Sequence, residues 1–250
     1  MQLLPRVEIV AQQPALLLKD FGALVIADLH IGLEAALEKE GIHLPVSSYS
    51  RMKEQLSLLL EQVDAERLII LGDLKHEFGE PSVQEWVEVK DLLSWLQKEK
   101  VRVEVVRGNH DNYVIWILKK FEVPLHDPAL LLDSIFMFHG HKTVEVPPSA
   151  EVVIIAHEHP AISIRDDSGA KFKFKCFLLG THQGKHLVVI PSYSPLASGV
   201  SVNEVSPEEF LTPLLREVDI DEFTPFVVEP GAGVYKFPPI KFLRQFPQSI

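Results

Sequence analysis

Ala23-Leu24-Val25-Ile26-Ala27-Asp28-Leu29-His30 sets an apolar run against an aspartate and a histidine one residue apart. The construction recurs along the chain. Leu68-Ile69-Ile70-Leu71-Gly72 ends on Asp73, and Val103-Glu104-Val105-Val106-Arg107-Gly108 on Asn109. Ile135-Phe136-Met137-Phe138 ends on His139, and Val152-Val153-Ile154-Ile155-Ala156 on His157 and His159. A strand fixes where its last residue points, and α/β folds bind ligands outside the carboxyl ends of their strands. Polar groups at several strand ends can therefore converge on one point.

Helical stretches separate the first runs. Leu33 to Lys39 is one, and Ser48 to Val63 is another, with Met52, Leu56, Leu59, Leu60 and Val63 on one face. A further helix begins near Ser82, where Ser82 and Glu85 form a capping box, and Trp86, Val89, Leu93 and Leu96 give its buried stripe. A short helix is expected around Tyr113 to Lys119. Strands joined by helices predict a parallel sheet. The second half differs: 129–132, 135–138, 152–155, 161–165, 171–179 and 186–190 read as strands with short links, and Asp166-Asp167-Ser168-Gly169 as a tight turn. The predicted fold is α/β (α+β in some schemes), a four-layer αββα sandwich of two mixed sheets flanked by helices.

Residues 1–200 are expected to form that domain, and residues 201–250 a C-terminal extension rich in Pro and Phe. In it, Ser206-Pro207-Glu208-Glu209 starts a helix that Pro213 cuts short. The extension is read as an arm wrapping the same domain, because its apolar residues need cover. A docking tail for a protein partner is the alternative.

At 46% hydrophobic and 24% charged residues the chain is an ordinary soluble globular protein. No run approaches the roughly 18 apolar residues of a membrane span, and Met1-Gln2-Leu3-Leu4-Pro5-Arg6 lacks signal-peptide features. A cytoplasmic protein without membrane attachment is expected. Cys176 is the only cysteine, in register with Phe172, Phe174 and Leu178, and reads as a buried filler. A net charge of −11 argues against broad DNA affinity. Lys171, Lys173 and Lys175 share one strand face, either as a local basic stripe or, preferably, as a solvated edge strand guarded against aggregation.

Taken singly, each polar motif is more often a turn or a satisfied surface group than a ligand. Five in fixed order, each just after an apolar run, are hard to credit to coincidence. Asp28 and His30 point to one side if strand geometry persists beyond Ala27, and so can share an ion. Asp73 can bridge two ions, one per oxygen, and Gly72 lets the backbone turn there. Asn109 offers an amide oxygen, followed by His110 and Asp111. His157-Glu158-His159 places two imidazoles on one face of an extended segment. Such donors suit two divalent metals about 3.5–4 Å apart, the layout of a two-metal phosphoester hydrolase.

Asp28-x-His30, Gly72-Asp73, Gly108-Asn109-His110-Asp111, His139 and His157-x-His159 together resemble the calcineurin-like metallophosphoesterase superfamily, over about residues 22–195. Gly72-Asp73-Leu74-Lys75-His76 and the modest length are most similar to its SbcD-related prokaryotic and archaeal branch. The resemblance implies the four-layer αββα sandwich. It implies that Asp28, His30 and His159 hold one metal, that Asn109, His139 and His157 hold the second, and that Asp73 bridges both. It implies that His110 contacts the phosphate and protonates the leaving oxygen, with Asp111 orienting it. The metals implied are Mn²⁺, with Fe, Zn, Ni or Mg as alternatives. The activity implied is hydrolysis of phosphoesters by a bridging hydroxide, with phosphodiesters and nucleic acid favoured; short single strands, nucleic-acid ends or a cyclic nucleotide suit a compact, acidic chain. A metal-bound scaffold without catalysis is the rival, and a missing His110 or a broken ligand set would be its sign. Two positions depart from the family pattern: Ala156 replaces a glycine, and His76 stands where Asp or Asn is frequent. His76 reads as an outer partner, a substrate contact or a structural histidine. His141 competes with His139 as a ligand, although His139 lies nearer the strand end.

Overall fold

The chain enters through three short antiparallel strands, β1 (Gln2–Leu4), β2 (Val7–Ile9) and β3 (Leu16–Leu18), which lead into β4 (Ala23–Ile26). Helices α1 (Leu33–Lys39) and α2 (Ser48–Val63) follow, then β5 (Arg67–Leu71), α3 (Val83–Lys98), β6 (Arg102–Val106), α4 (Ile115–Lys120) and β7 (Leu125–His126). β4 to β7 pair in parallel, so the first sheet is mixed and has seven strands in sequence order. The computed structural model describes residues 1–44 and 47–245, so the last five residues of the expected 201–250 extension lie outside the described residues.

The second sheet is built from β8 (Ala129–Leu132), β9 (Ile135–Phe138), β10 (Val152–Ile155), β11 (Pro160–Arg165), β12 (Lys171–His182), β13 (Lys185–Val189), β14 (Val200–Ser201), β15 (Thr224–Glu229) and β16 (Gly233–Lys236). Its central strands β9, β10 and β13 run parallel, and β8, β12, β15 and β16 pair antiparallel.

Period-two alternation explains the layering, because successive side chains of a strand face opposite sides. In β4 and β5, Leu24, Ile26, Leu68 and Ile70 face α2 and α3, meeting Met52, Leu56, Leu59, Val89, Leu92 and Leu96. Val25, Ala27, Ile69 and Leu71 face the other way, onto Ile135, Met137, Val152, Ile154 and Phe177 of the second sheet. On the far side of that sheet, Phe136, Phe138, Val153, Ile155, Cys176 and Leu178 pack against Phe210, Leu215, Ile220 and Phe223, and against Ile240 and Leu243 of α5 (Ile240–Arg244). Strands buried on both faces read as unbroken apolar runs. The four layers are α2–α4, the two sheets, and an outer layer of short 3₁₀ turns with α5.

Several elements differ from expectation. β1 to β3 and β7 are too short for periodicity to register. Tyr113 has φ 68°, so α4 starts only at Ile115. Ser206 does cap a helical turn, but it is one 3₁₀ turn, Pro207–Glu209. β15 of the C-terminal segment pairs with β12. The lysine-bearing half of β12 pairs on one side only, with β11, whereas β13 and β15 pair with its second half. Lys171 and Lys173 are exposed as expected, but all three lysines also make hydrogen bonds. Lys171 Nζ lies 2.5 Å from Glu204, Lys173 bonds the Gly199 carbonyl, and Lys175 donates to the carbonyls of Ser192 and Ser194 at 2.7 and 2.5 Å. All three fasten the segment after β13. Among the described residues no helix is long and apolar enough to cross a membrane.

Phe177 is fully buried between the sheets. Phe177→Ala is expected to cost about 3–5 kcal/mol, measured by urea denaturation. A loss below about 1 kcal/mol would mean that the inter-sheet layer repacks freely.

Candidate metal centre

The parallel strands of both sheets end at one edge, and the site forms where they stop. Beyond β4 and β5 the backbones stay paired: Asp28 N–H donates to Gly72 O, His30 N–H to Asp73 O and Ile31 N–H to Leu74 O, at 3.0–3.1 Å. Extended geometry does not persist. Asp28, His30, Asp73, His157 and His159 all have positive φ, between 46° and 70°. Non-glycine residues rarely adopt this left-handed conformation, which costs of order 1–3 kcal/mol each and clusters at functional sites. His157 and His159 therefore do not share one face of an extended segment.

Donor atoms of Asp28, His30 and His159 lie within 4.8 Å of one another, and those of Asp73, His139 and His157 form a second such group. His30 Nε2 is 3.4 Å from His159 Nε2, which is 3.3 Å from Asp28 Oδ1. His139 Nε2 stands between the groups, 2.9 Å from Asp28 Oδ1 and 3.5 Å from Asp73 Oδ2. Asn109 Oδ1 is buried and has no hydrogen-bond partner among the described residues. The structure thus brings together six of the seven expected ligands in two clusters, with the unpaired Asn109 oxygen one residue before His110.

Asp73 has one free oxygen. Its Oδ1 accepts His110 N–H at 2.9 Å, leaving Oδ2 to face His139, His110 and His30 at 3.5, 3.8 and 3.9 Å. Oδ2 therefore lies near rings of both groups, His139 of one and His30 of the other. Two glycines make the approach possible. A Cβ on Gly108 would sit 2.1 Å from Asp73 Oδ1, and one on Gly72, at φ 84°, would sit 2.2 Å from His139 Cδ2.

The electrostatics favour a cation. Burial pushes His30 and His157 down to about 3, so both keep neutral rings with free lone pairs. Burial also lifts Asp73 to about 7; His139 opposes the rise, while Asp28 and Asp111 add to it. Burial works to raise Asp28, but His159 and His139 hold it well below the usual carboxylate range. Burial likewise opposes charge on His139, yet Asp73 and Asp28 raise it. Neutral imidazoles facing buried carboxylates, with an orphaned amide oxygen, are a donor set that fits divalent metal. Ligands about 2.1 Å from one ion lie roughly 3–4 Å apart, as these atoms do.

His110 stands beside this set. Its Nδ1–H donates to the His76 carbonyl, its ring stacks on Phe78 at 3.7 Å between centroids, and Nε2 faces Asp73. Burial lowers His110 below the ordinary imidazole value, and the bond to His76 opposes the shift. Asp111 does not orient this ring. Its carboxylate accepts the backbone N–H groups of Asp73 (2.9 Å), Leu74 (2.9 Å) and Gly108 (2.8 Å). It shapes the two loops instead, because amides at the turn needed an acceptor that no strand supplies. His141 lies behind His139, Nδ1 to Nδ1 at 3.0 Å, where it orients that ring rather than replacing it. His76 joins His30 and His110 in a third group, and its Nδ1 is buried without a partner.

Three supporting residues escaped sequence reasoning. Glu85, read as a helix cap, also accepts His76 N–H at 3.0 Å and Glu77 N–H at 2.8 Å. Lys75 is buried and donates to the carbonyls of Glu77 and Gly79. Glu158, between the two histidines, accepts Thr212 N–H at 2.9 Å and so ties the C-terminal segment to the site. The only signal was an acid or base too close to the motifs to be casual.

A folded αββα sandwich with paired histidine–carboxylate groups at its strand ends defines the class of a metal-site hydrolase scaffold. The calcineurin-like phosphoesterase profile matches residues 23–165, more than half of the chain, and the chain belongs to that family. Pseudomonas putida nuclease MPE shares the fold, with TM-score 0.65 and 19% identity over 92% of this chain and 94% of that one. Yfce, a phosphoesterase from E. coli, aligns at 20% identity over 72% of this chain and 84% of that one, but its TM-score of 0.41 is too low to carry an argument. No curated protein matches the sequence.

Gly108→Ala forces Asp73 away from its place. The variant is expected to keep its circular dichroism spectrum and to bind less than about half the wild-type metal by elemental analysis. Full metal content would show that the Asp73 position is not critical.

Proposed function

We propose that this chain is a divalent-metal-dependent phosphodiesterase of the SbcD-related branch, acting on nucleic acid with two metals. The observation that carries the reading is the position of Asp73 Oδ2, 3.5 Å from His139 of its own donor group and 3.9 Å from His30 of the other, with His110 Nε2 3.8 Å away. Asp28, His30 and His159 would hold one ion and Asn109, His139 and His157 the other, with Asp73 shared between them. Mn²⁺ is the ion proposed; the mix of imidazole and oxygen donors without thiolate also admits Fe, Zn or Ni. When bound, two such cations offset phosphate charge and lower the pKa of a water to give the nucleophile.

The chain's own residues supply the rest. The His76 carbonyl takes the Nδ1 proton of His110, so Nε2 is the atom that can deliver a proton toward the site. An anionic phosphate alongside favours the protonated ring. The proton then passes from Nε2 to the leaving oxygen, a step worth about 10²–10⁴ in rate. Phe78, His76 and His30 hold the ring against rotation. The name of the P. putida relative suggests nucleolysis for this chain too. The C-terminal segment is proposed to belong to this domain, because Glu158 anchors it directly behind His157 and His159.

His110→Ala is expected to retain metal and to lose about 10²–10⁴ in rate on an alkyl diester, and far less on bis-nitrophenyl phosphate, whose leaving group needs no proton. Equal small losses on both would remove the acid role. Asp73→Ala is expected to empty both sites by elemental analysis; undiminished metal would contradict a shared ligand.

A further inference from the structure

Phe78 is 59% exposed although its ring lies face to face with the His110 imidazole. A ring that served only to pack His110 would be covered on its other side, since exposed aromatic surface forfeits the gain from burial. The loop that presents it is fastened by two buried side chains. Glu85 takes the amides of His76 and Glu77, and buried Lys75 takes the carbonyls of Glu77 and Gly79. A platform is thus fixed beside the proposed acid, with one aromatic face open.

A polar chain runs from that platform to the opposite flank of the site. Asn112 Nδ2 donates to the Phe78 carbonyl at 3.3 Å, and Arg107 Nη2 donates to Asn112 Oδ1 at 3.1 Å. Arg107 Nη1 and Lys142 Nζ then share the Asp127 carboxylate, at 2.9 and 3.1 Å. Lys142 follows His141, which backs His139. Two cations on one carboxylate leave a net positive charge, and their side chains are 40% and 46% exposed. This is a local excess of positive charge on a chain of net charge −11.

Resting on the phosphodiesterase reading, we propose that Phe78 and the Arg107–Lys142 pair form a strand-binding subsite. A nucleobase next to the scissile phosphate stacks on the open face of Phe78, and a flanking phosphate of the same strand seats on Arg107 and Lys142. A base can offer its face to a side chain only when unstacked, so the subsite selects single strands over duplex. Base-on-aromatic stacking tolerates any base, so little sequence preference follows.

The test uses the Mn²⁺-loaded full chain with a short oligothymidylate, the same oligomer carrying abasic residues beside the cleaved bond, and bis-nitrophenyl phosphate. Wild type is expected to show a KM roughly 5- to 150-fold higher for the abasic oligomer than for the intact one. Phe78→Leu should raise the ratio of oligonucleotide KM to small-diester KM by a comparable factor and lose the abasic penalty, and Phe78→Trp should restore both. The Arg107→Gln, Lys142→Gln double variant should flatten the dependence of log KM on log salt by about 0.7 for each phosphate charge no longer neutralised. Equal KM for intact and abasic oligomers with wild type overturns the inference without any variant having to fold. An unchanged salt slope in the double variant overturns the phosphate seat. If wild type hydrolyses neither the oligomers nor bis-nitrophenyl phosphate, the phosphodiesterase reading fails, and this inference with it.

Discussion

Three carboxylates, Asp28, Asp73 and Asp111, are buried to 2% exposure or less within one small site, and the surrounding structure exists to make that tolerable. Each finds a different answer. Asp111 is satisfied by three backbone amides and needs no cation. Asp28 is matched by the His157 amide and by the rings of His139 and His159. Asp73 has one amide and one oxygen facing imidazoles alone, and burial carries it up to about 7. An uncompensated buried charge is expensive, so Asp73 is where positive charge is most wanted.

Meeting that need requires side chains from both sheets to reach one point, and strand ends alone do not aim them well enough. The left-handed residues at Asp28, His30, Asp73, His157 and His159 re-aim each donor by one sharp backbone turn. Such turns survive only where neighbours over-determine them. Here those neighbours are Asp111, Glu85 and Glu158, three acids whose work is to hold loop amides rather than to meet substrate. Lys171, Lys173 and Lys175 do the corresponding job from below, fastening the segment whose Ser192 hydroxyl donates to the Asp28 carbonyl at 2.7 Å.

The layered fold was legible because β4, β5, β9 and β10 are buried on both faces and therefore apolar without interruption. The residues at their ends were legible for the same reason, since a polar group just after such a run is conspicuous. What happens after the strand was not. Periodicity carries no information once φ turns positive, so it sets His157 and His159 on one face although they serve different groups. The role of Asp111 is hidden because adjacency to His110 in sequence suggests contact with its ring, while the carboxylate reaches back to the Gly72–Leu74 turn. Phe78 was invisible because nothing in a local window distinguishes a platform from a loop residue.

The central claim is that two cations share Asp73. An anomalous difference map from crystals grown with Mn²⁺, collected near the manganese edge, tests it most directly. Two peaks are expected, one among Asp28, His30 and His159 and one among Asn109, His139 and His157, each in bonding range of Asp73. A single peak, or two peaks of which only one contacts Asp73, would contradict the account.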